Sequence, residues 1–261
     1  MLTLLLVLGC RESAQAPAEI SELTRFLAVE LDNEDPQVMR SGIEQLYAHL
    51  ETLDIEEGSL VDERSWLLQG LTEEDLAALD RPDRDPGLTL NIGIVGAEDH
   101  SIDEHAPYMM WADQTVLNSG IEYYTREFPE DADGGCFVEA SCERILTFNH
   151  AIRKNAVYEV YYESFKVWRW IELEDGRRAV SAFAWFPQSW PTTNGHEGHL
   201  WQSYEVDVWL EAPDGGVWRY YAGYSESDIV EGEDLVLGTV RSATQTRYDT
   251  EEEAAAGELS P

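Results

Sequence analysis

Two short stretches of this 261-residue sequence crowd histidine and carboxylate side chains into arrangements that could hold a metal ion or move a proton. In the first, Glu98-Asp99-His100-Ser101-Ile102-Asp103-Glu104-His105, oxygen and nitrogen donors follow directly on a strand-like run. Such a set suits a divalent ion, or a general base beside a carboxylate. An acidic turn capping the next helix explains it as well, because 52 of the residues are acidic. The second is Asn194-Gly195-His196-Glu197-Gly198-His199. Its histidines are three apart instead of four and glycine flanks the pair, so the two imidazoles do not share a helical face as a zinc-peptidase signature requires. A loop site for zinc or copper remains, and so does a plain loop between Trp190 and Trp201. His100, His105, His196 and His199 together are the ligand set of one alternative, a metal-dependent hydrolase with a divalent metal as cofactor.

Other chemistry is harder to find. Glu130-Asp131-Ala132-Asp133-Gly134-Gly135 spaces carboxylates before glycine but lacks the frame of a calcium loop. There is no Gly-x-Ser-x-Gly, no phosphate-binding Walker loop and no glycine-rich dinucleotide fingerprint. No catalytic residue is identified, and the preferred reading is non-enzymatic and without a cofactor.

Aromatic residues give the clearest candidate for binding. Seven of the nine tryptophans fall between Trp168 and Trp218. On the strand-like run from Phe165 to Leu173, Phe165, Val167, Ile171 and Leu173 take one face while Trp168 and Trp170 take the other. A strand apolar on both sides is covered twice or lines a cavity. Trp168, Trp170, Trp185 and Trp209 are therefore candidate walls of a cleft for a small apolar or aromatic ligand. Ordinary core packing is the competing explanation.

The chain opens Met1-Leu2-Thr3-Leu4-Leu5-Leu6-Val7-Leu8-Gly9-Cys10, an apolar run too short to span a bilayer, and turns polar at Arg11. Val7-Leu8-Gly9-Cys10 resembles the signal of bacterial lipoproteins. The resemblance implies removal of residues 1–9, acyl chains on the Cys10 thiol, and a tether over 10–17. It implies residence in the cell envelope, facing the periplasm, with the lipid bilayer as a partner through those acyl chains. Arg11 in place of an aspartate favours the outer over the inner membrane. With Cys10 so engaged, Cys136 and Cys142 remain as an even pair in a compartment that permits a disulfide; free buried thiols are the other possibility.

The charge excludes one class of partner. Seventeen basic against 52 acidic residues give a net charge of −35, which repels phosphate backbones, so no nucleic acid is expected. Hydrophobic residues at 43% with 11% aromatics support a packed core. The remaining roles are a binding module for a small ligand or an envelope protein, or a structural or assembly lipoprotein displaying an acidic surface.

The elements that must position these residues follow from periodicity. Residues 18–87 read as helical: Ser21 opens a segment with Leu23, Phe26, Leu27 and Leu31, Asp35-Pro36 caps a second, and Thr72 caps a third. The break at Arg81-Pro82-Asp83-Arg84-Asp85-Pro86-Gly87 starts a sheet-rich domain over 88–250. Leu88, Leu90, Ile92 and Ile94 alternate as a strand. Residues 108–118 and 142–155 read as helices, the latter from Ile145, Phe148 and Ile152. Strand-like runs follow from 121, 157, 179, 204 and 217, with hairpin turns at Glu174-Asp175-Gly176 and Pro213-Asp214-Gly215-Gly216. In the run from Tyr204, the face bearing Glu205, Asp207 and Trp209 reads as mostly wet. Residues from 234 read as a last strand or helix, and 251–261 as an acidic tail.

The fold class expected is α+β, with N-terminal helices followed by a curved antiparallel sheet of six or seven strands that packs one or two helices on its concave side. That order is similar to the helix-grip family of ligand-binding domains, which encloses an apolar cavity. A β-sandwich or small barrel is the alternative.

Overall fold

A computed structural model describes residues 16–53, 55, 65–118, 120–129, 134–154, 158–194, 197–228 and 233–261. Cys10, Glu130, Asp131, Asp133 and His196 lie outside the described residues.

The fold is α+β. Nine strands form one antiparallel sheet: β1 (Ser65–Leu67), β2 (Leu90–Glu98), β3 (Ile121–Glu127), β4 (Arg144–Lys154), β5 (Glu159–Glu172), β6 (Arg178–Trp185), β7 (Trp190–Thr193), β8 (His199–Glu211) and β9 (Val217–Ser227). Their order is β1-β2-β9-β8-β6-β5-β4-β3, and β7 bridges β5 and β8. Hairpins join β5 to β6 and β8 to β9 through Gly176 and Gly215, at φ +87° and +100°, values glycine adopts without steric penalty.

One sheet face packs against α1 (Ile20–Val29) and α2 (Pro36–Leu50). Leu23 and Leu27 of α1 and Ile43 and Leu46 of α2 bury their stripe against Val206, Val208 and Tyr220. Asp35 caps α2 as expected, accepting from Gln37 N at 3.0 Å, with Pro36 at the first position. Glu19, not Ser21, caps α1; Ser21 is buried and accepts from Gln69 N. Residues 72–79, expected as a third helix, are a series of turns instead.

The opposite face packs against α3 (Ile102–Met109), α4 (Gly135–Val138) and the long α5 (Glu233–Ala255). It is not wet: Asp207 and Trp209 are fully buried there. Strand β3 lies at one end of the sheet order and β9 beyond its middle, yet both line a single cavity with α5. The sheet therefore curves around that helix.

Two expected elements are corrected. The helix expected over 142–155 is absent among the described residues; Arg144–Lys154 form β4, whose buried face is Ile145, Thr147, Asn149 and Ala151, a period of two. The helix expected over 108–118 instead ends at Met109, followed by a 3-10 turn at Thr115–Leu117. Finally, α5 runs into the stretch expected to be a tail, burying Glu251 and Ala254.

Candidate functional site

A cavity of about 300 Å³ lies between the curved sheet and α5, at the lower end of the roughly 300–1,000 Å³ typical of small-molecule sites. Alternation places its residues. On β5, Tyr162, Ser164 and Lys166 point to the helix side while Phe165 and Val167 point to the α1–α2 side. Across the sheet Ser203 and Glu205 of β8, and Tyr221 and Ser225 of β9, share that orientation, and α5 roofs the space with Val240, Thr244, Arg247 and Tyr248.

Charge distinguishes this cavity from the rest of the molecule. Arg126, Arg153, Lys166 and Arg247 line it against one carboxylate, Glu205, among the described residues. Lys166 and Arg247 have acidic partners nearby, Asp207 and Glu251. Arg126 has none: buried at the wall, its guanidinium donates to Asn149 Oδ1 at 2.9 Å, to Tyr124 Oη at 2.8 Å and to Met109 O. Burial pulls its pKa down, but a guanidinium stays protonated in proteins. It presents a positive charge that no carboxylate among the described residues answers.

The aromatic wall is mostly phenolic, with Trp185 and Phe186 beside the tyrosines. Tyr124, Tyr158, Tyr162, Tyr221 and Tyr248 border the cavity. Burial pushes the phenols of Tyr162 and Tyr221 up, so they stay neutral. Tyr248 Oη is buried without a hydrogen-bond partner, a donor left for something else to accept.

Behind this wall lies a charged network. Asp207 accepts from Lys166 Nζ, and Arg219 Nη2 makes an ion contact with its Oδ1 at 2.9 Å. Burial alone would raise the Asp207 carboxyl, but Lys166, Arg219 and Arg247 hold it far below the usual carboxylate range. Arg219 stacks 3.3 Å over the Trp209 ring and reaches Glu251, which also accepts from Arg247 Nε at 2.6 Å.

Beside the network, Glu98 from the end of β2, His105 of α3 and Glu252 of α5 converge. Their ligand atoms all lie within 4.8 Å of one another. Burial drives the Glu98 carboxyl well above its ordinary value and lowers His105 to about 4. A second, smaller cavity of about 160 Å³, lined by Glu98, Asp99, Tyr248 and Glu252, opens onto the cluster.

The sequence-derived candidates separate on this frame. Trp168, Trp170 and Trp209 are buried core, not cavity wall: their Nε1 atoms donate to Thr147 Oγ1, Phe137 O and Tyr108 Oη. Trp185 borders the cavity, with its ring stacked on Phe165 and Phe183 and Nε1 donating to Asp80 O. The tryptophans pack because two layers of helix cover the strands that carry them. Among the described histidines of the four-member set, His100 and His105 both approach Glu252. His199 stacks on Trp201 at the other end of β8, where its strand pairs near Ser227, and does not join them. Cys136 and Cys142 form a disulfide across Cα atoms 5.3 Å apart. Periodicity overlooked Arg126, Lys166, Arg247 and Glu252; three cations lying on a buried face of an acidic protein were the available signal.

No family model matches the chain, and no curated protein matches it in sequence. Among solved structures it is similar to a STAR-related lipid transfer protein from Xanthomonas axonopodis, at TM-score 0.43 and 9% identity, over 63% of this chain and 85% of that one. It is also similar to human StAR-related lipid transfer protein 5, at TM-score 0.42 and 8% identity, over 85% and 97%. A third similarity is to Ara h 8.0201, at TM-score 0.35 and 11% identity, over 65% and 99%.

Proposed function

We propose that this protein is a non-enzymatic binding module that holds a small ligand with an aromatic or apolar body and an acidic group in the cavity beneath α5. One observation carries the reading: in a chain of net charge −35, the cavity gathers four cations against one carboxylate among the described residues. A neutral apolar ligand would not need Arg126, and leaving a guanidinium buried without a counter-charge is costly. The phenols supply flat contact surface and hydrogen-bond donors, and Tyr248 Oη has a donor to spare.

A naphthalene sulfonate dye tests this directly, since it combines an aromatic body with an anion. Saturable one-to-one fluorescence enhancement is expected, competed away by a medium-chain carboxylate. Ser164→Phe fills the cavity from β5 and should weaken binding at least about tenfold, the order of 1.4 kcal/mol. Absence of saturable binding, or a Ser164→Phe variant that binds unchanged, overturns the reading.

The second part of the proposal concerns location. Val7-Leu8-Gly9-Cys10 is the motif that supports acylation of Cys10 and attachment to the envelope bilayer, with the outer membrane preferred. Mass spectrometry of the native product is expected to find an acylated Cys10 at the amino terminus. An intact, unmodified Met1 would refute it.

A further inference from the structure

Tyr108 fixes the tautomer of the histidine beside it. Its hydroxyl has one proton, and Glu251 Oε2, 3.2 Å away, takes it, because an ionised carboxylate can only accept. Glu251 faces two guanidinium groups, with Arg247 Nε 2.6 Å from one oxygen and Arg219 Nε 3.4 Å from the other, and is therefore ionised. Toward Trp209 Nε1 at 3.1 Å and His105 Nδ1 at 3.0 Å the same oxygen must then be the acceptor. His105 therefore carries its proton on Nδ1, and its Nε2 presents a bare lone pair.

That lone pair has no donor. His105 is 0% exposed and its Nε2 has no hydrogen-bond partner; the same holds for both oxygens of Glu98, whose side chain is 2% exposed, and for Glu252 Oε2. The other oxygen of Glu252 is already held by the backbone N–H groups of Asp99 and His100 and by the His100 ring, which aims Oε2 at the cluster. Acceptors from three elements thus converge where nothing donates.

The charge balance leaves the same deficit. Among the described residues, Lys166, Arg219 and Arg247 make their contacts with Asp207 and Glu251, and the His100 ring makes its contact with Glu252. Glu98 is left without a cation among them.

We propose that Glu98, His105 and Glu252 form a binding site for one divalent transition-metal ion, with zinc the best match to one imidazole and two carboxylates. His105 Nε2 and Glu252 Oε2 stand 3.9 Å apart, near the roughly 3.4 Å between two ligands each about 2.1 Å from a tetrahedral ion. A His105 Nδ1–H held by Tyr108 Oη is the outer-shell support that metal-bound imidazoles use. The smaller cavity gives an ion access and leaves room for a water as fourth ligand. This set differs from the four histidines singled out in the sequence: it keeps only His105 and takes its carboxylates from β2 and α5.

The competing occupant is a proton on Glu98, and titration separates the two. Full-length protein without a histidine tag is stripped with chelator, titrated with zinc sulfate and, in parallel, with cobalt chloride. One zinc per chain, a visible cobalt absorption band, and a rise in Tm with zinc are expected. Glu98→Gln and Glu252→Gln should each weaken zinc binding by more than the roughly 10–100-fold that loss of a mere outer-shell partner costs. Glu252 is 28% exposed, so its variant serves if Glu98→Gln does not fold. Failure of the wild type to retain zinc, or stoichiometric binding that survives Glu252→Gln unchanged, overturns the assignment. Neither result depends on dye binding in the larger cavity, so this site and the ligand site fail separately.

Discussion

Asp207 is the side chain on which most of the buried charge converges. Lys166 and Arg219 both rest on it and Arg247 stands 3.9 Å away. Removing one member of a buried ion network leaves its partners uncompensated, typically at a cost of about 3–5 kcal/mol. Asp207→Asn should lower unfolding stability by that amount at neutral pH, measured by urea denaturation. Its effect also has a defined pH dependence. The folded-state pKa is depressed, so the carboxylate contributes stability above its unfolded value of about 3.9 and loses it as pH falls through the acid range below that. Wild-type stability is therefore expected to decline below about pH 4 more steeply than that of Asp207→Asn, and equal slopes would count against the network. Little of this was visible beforehand. Glu98 and His105 sit seven residues apart and stood out as a cluster, whereas Glu252 joins them from the far end of the chain. No local pattern reports a contact of that span.

Among the elements, the β8–β9 hairpin has the least room for change. Gly216 lies where the hairpin meets β2, and a Cβ added there would come within 2.4 Å of Glu98 O. Backbone atoms cannot step aside as a side chain tip can, so Gly216→Ala should destabilise by about 1–3 kcal/mol, the usual range for overpacking. Thermal unfolding would show it, and an unchanged Tm would mean the β2–β9 pairing is looser than drawn. The strands flanking such hairpins were legible because Asp-Gly turns and two-residue alternation coincide in β5, β6, β8 and β9. Strand β4 was not. Its buried face carries Thr147 and Asn149, which hide the apolar period, while Ile145, Phe148 and Ile152 fall by coincidence at helical spacing. Those polar side chains are tolerated inside because each is bonded: Thr147 Oγ1 donates to Lys166 O at 3.1 Å and Asn149 Nδ2 to Ser164 O at 3.3 Å. The third helix of the N-terminal region is only begun. Thr72 and Asp75 bond reciprocally as a capping box and Leu76 N donates to Thr72 O, but the bonds that follow, Ala77 N to Glu74 O and Leu79 N to Leu76 O, close turns of three residues before the chain meets Pro82.

At the level of the whole molecule, carboxylates outnumber cations by 52 to 17, while in the cavity under α5 four cations face one carboxylate among the described residues. Repulsion among surface charges of one sign is weakened by salt, whose screening length falls from about 10 Å at 0.1 M to about 3 Å at 1 M. Tm is therefore expected to rise between those conditions, and a fall would show that the buried ion pairs, not surface repulsion, dominate the salt response. Helix α5 adds a further consequence. At 23 residues it is a rod of about 34 Å. Val240 and Thr244 stand over the larger cavity, Glu252 reaches the smaller one, and Tyr248 touches both. Any change that an occupant of one chamber makes in the affinity of the other must be matched in the reverse direction by the same factor, because linkage is reciprocal.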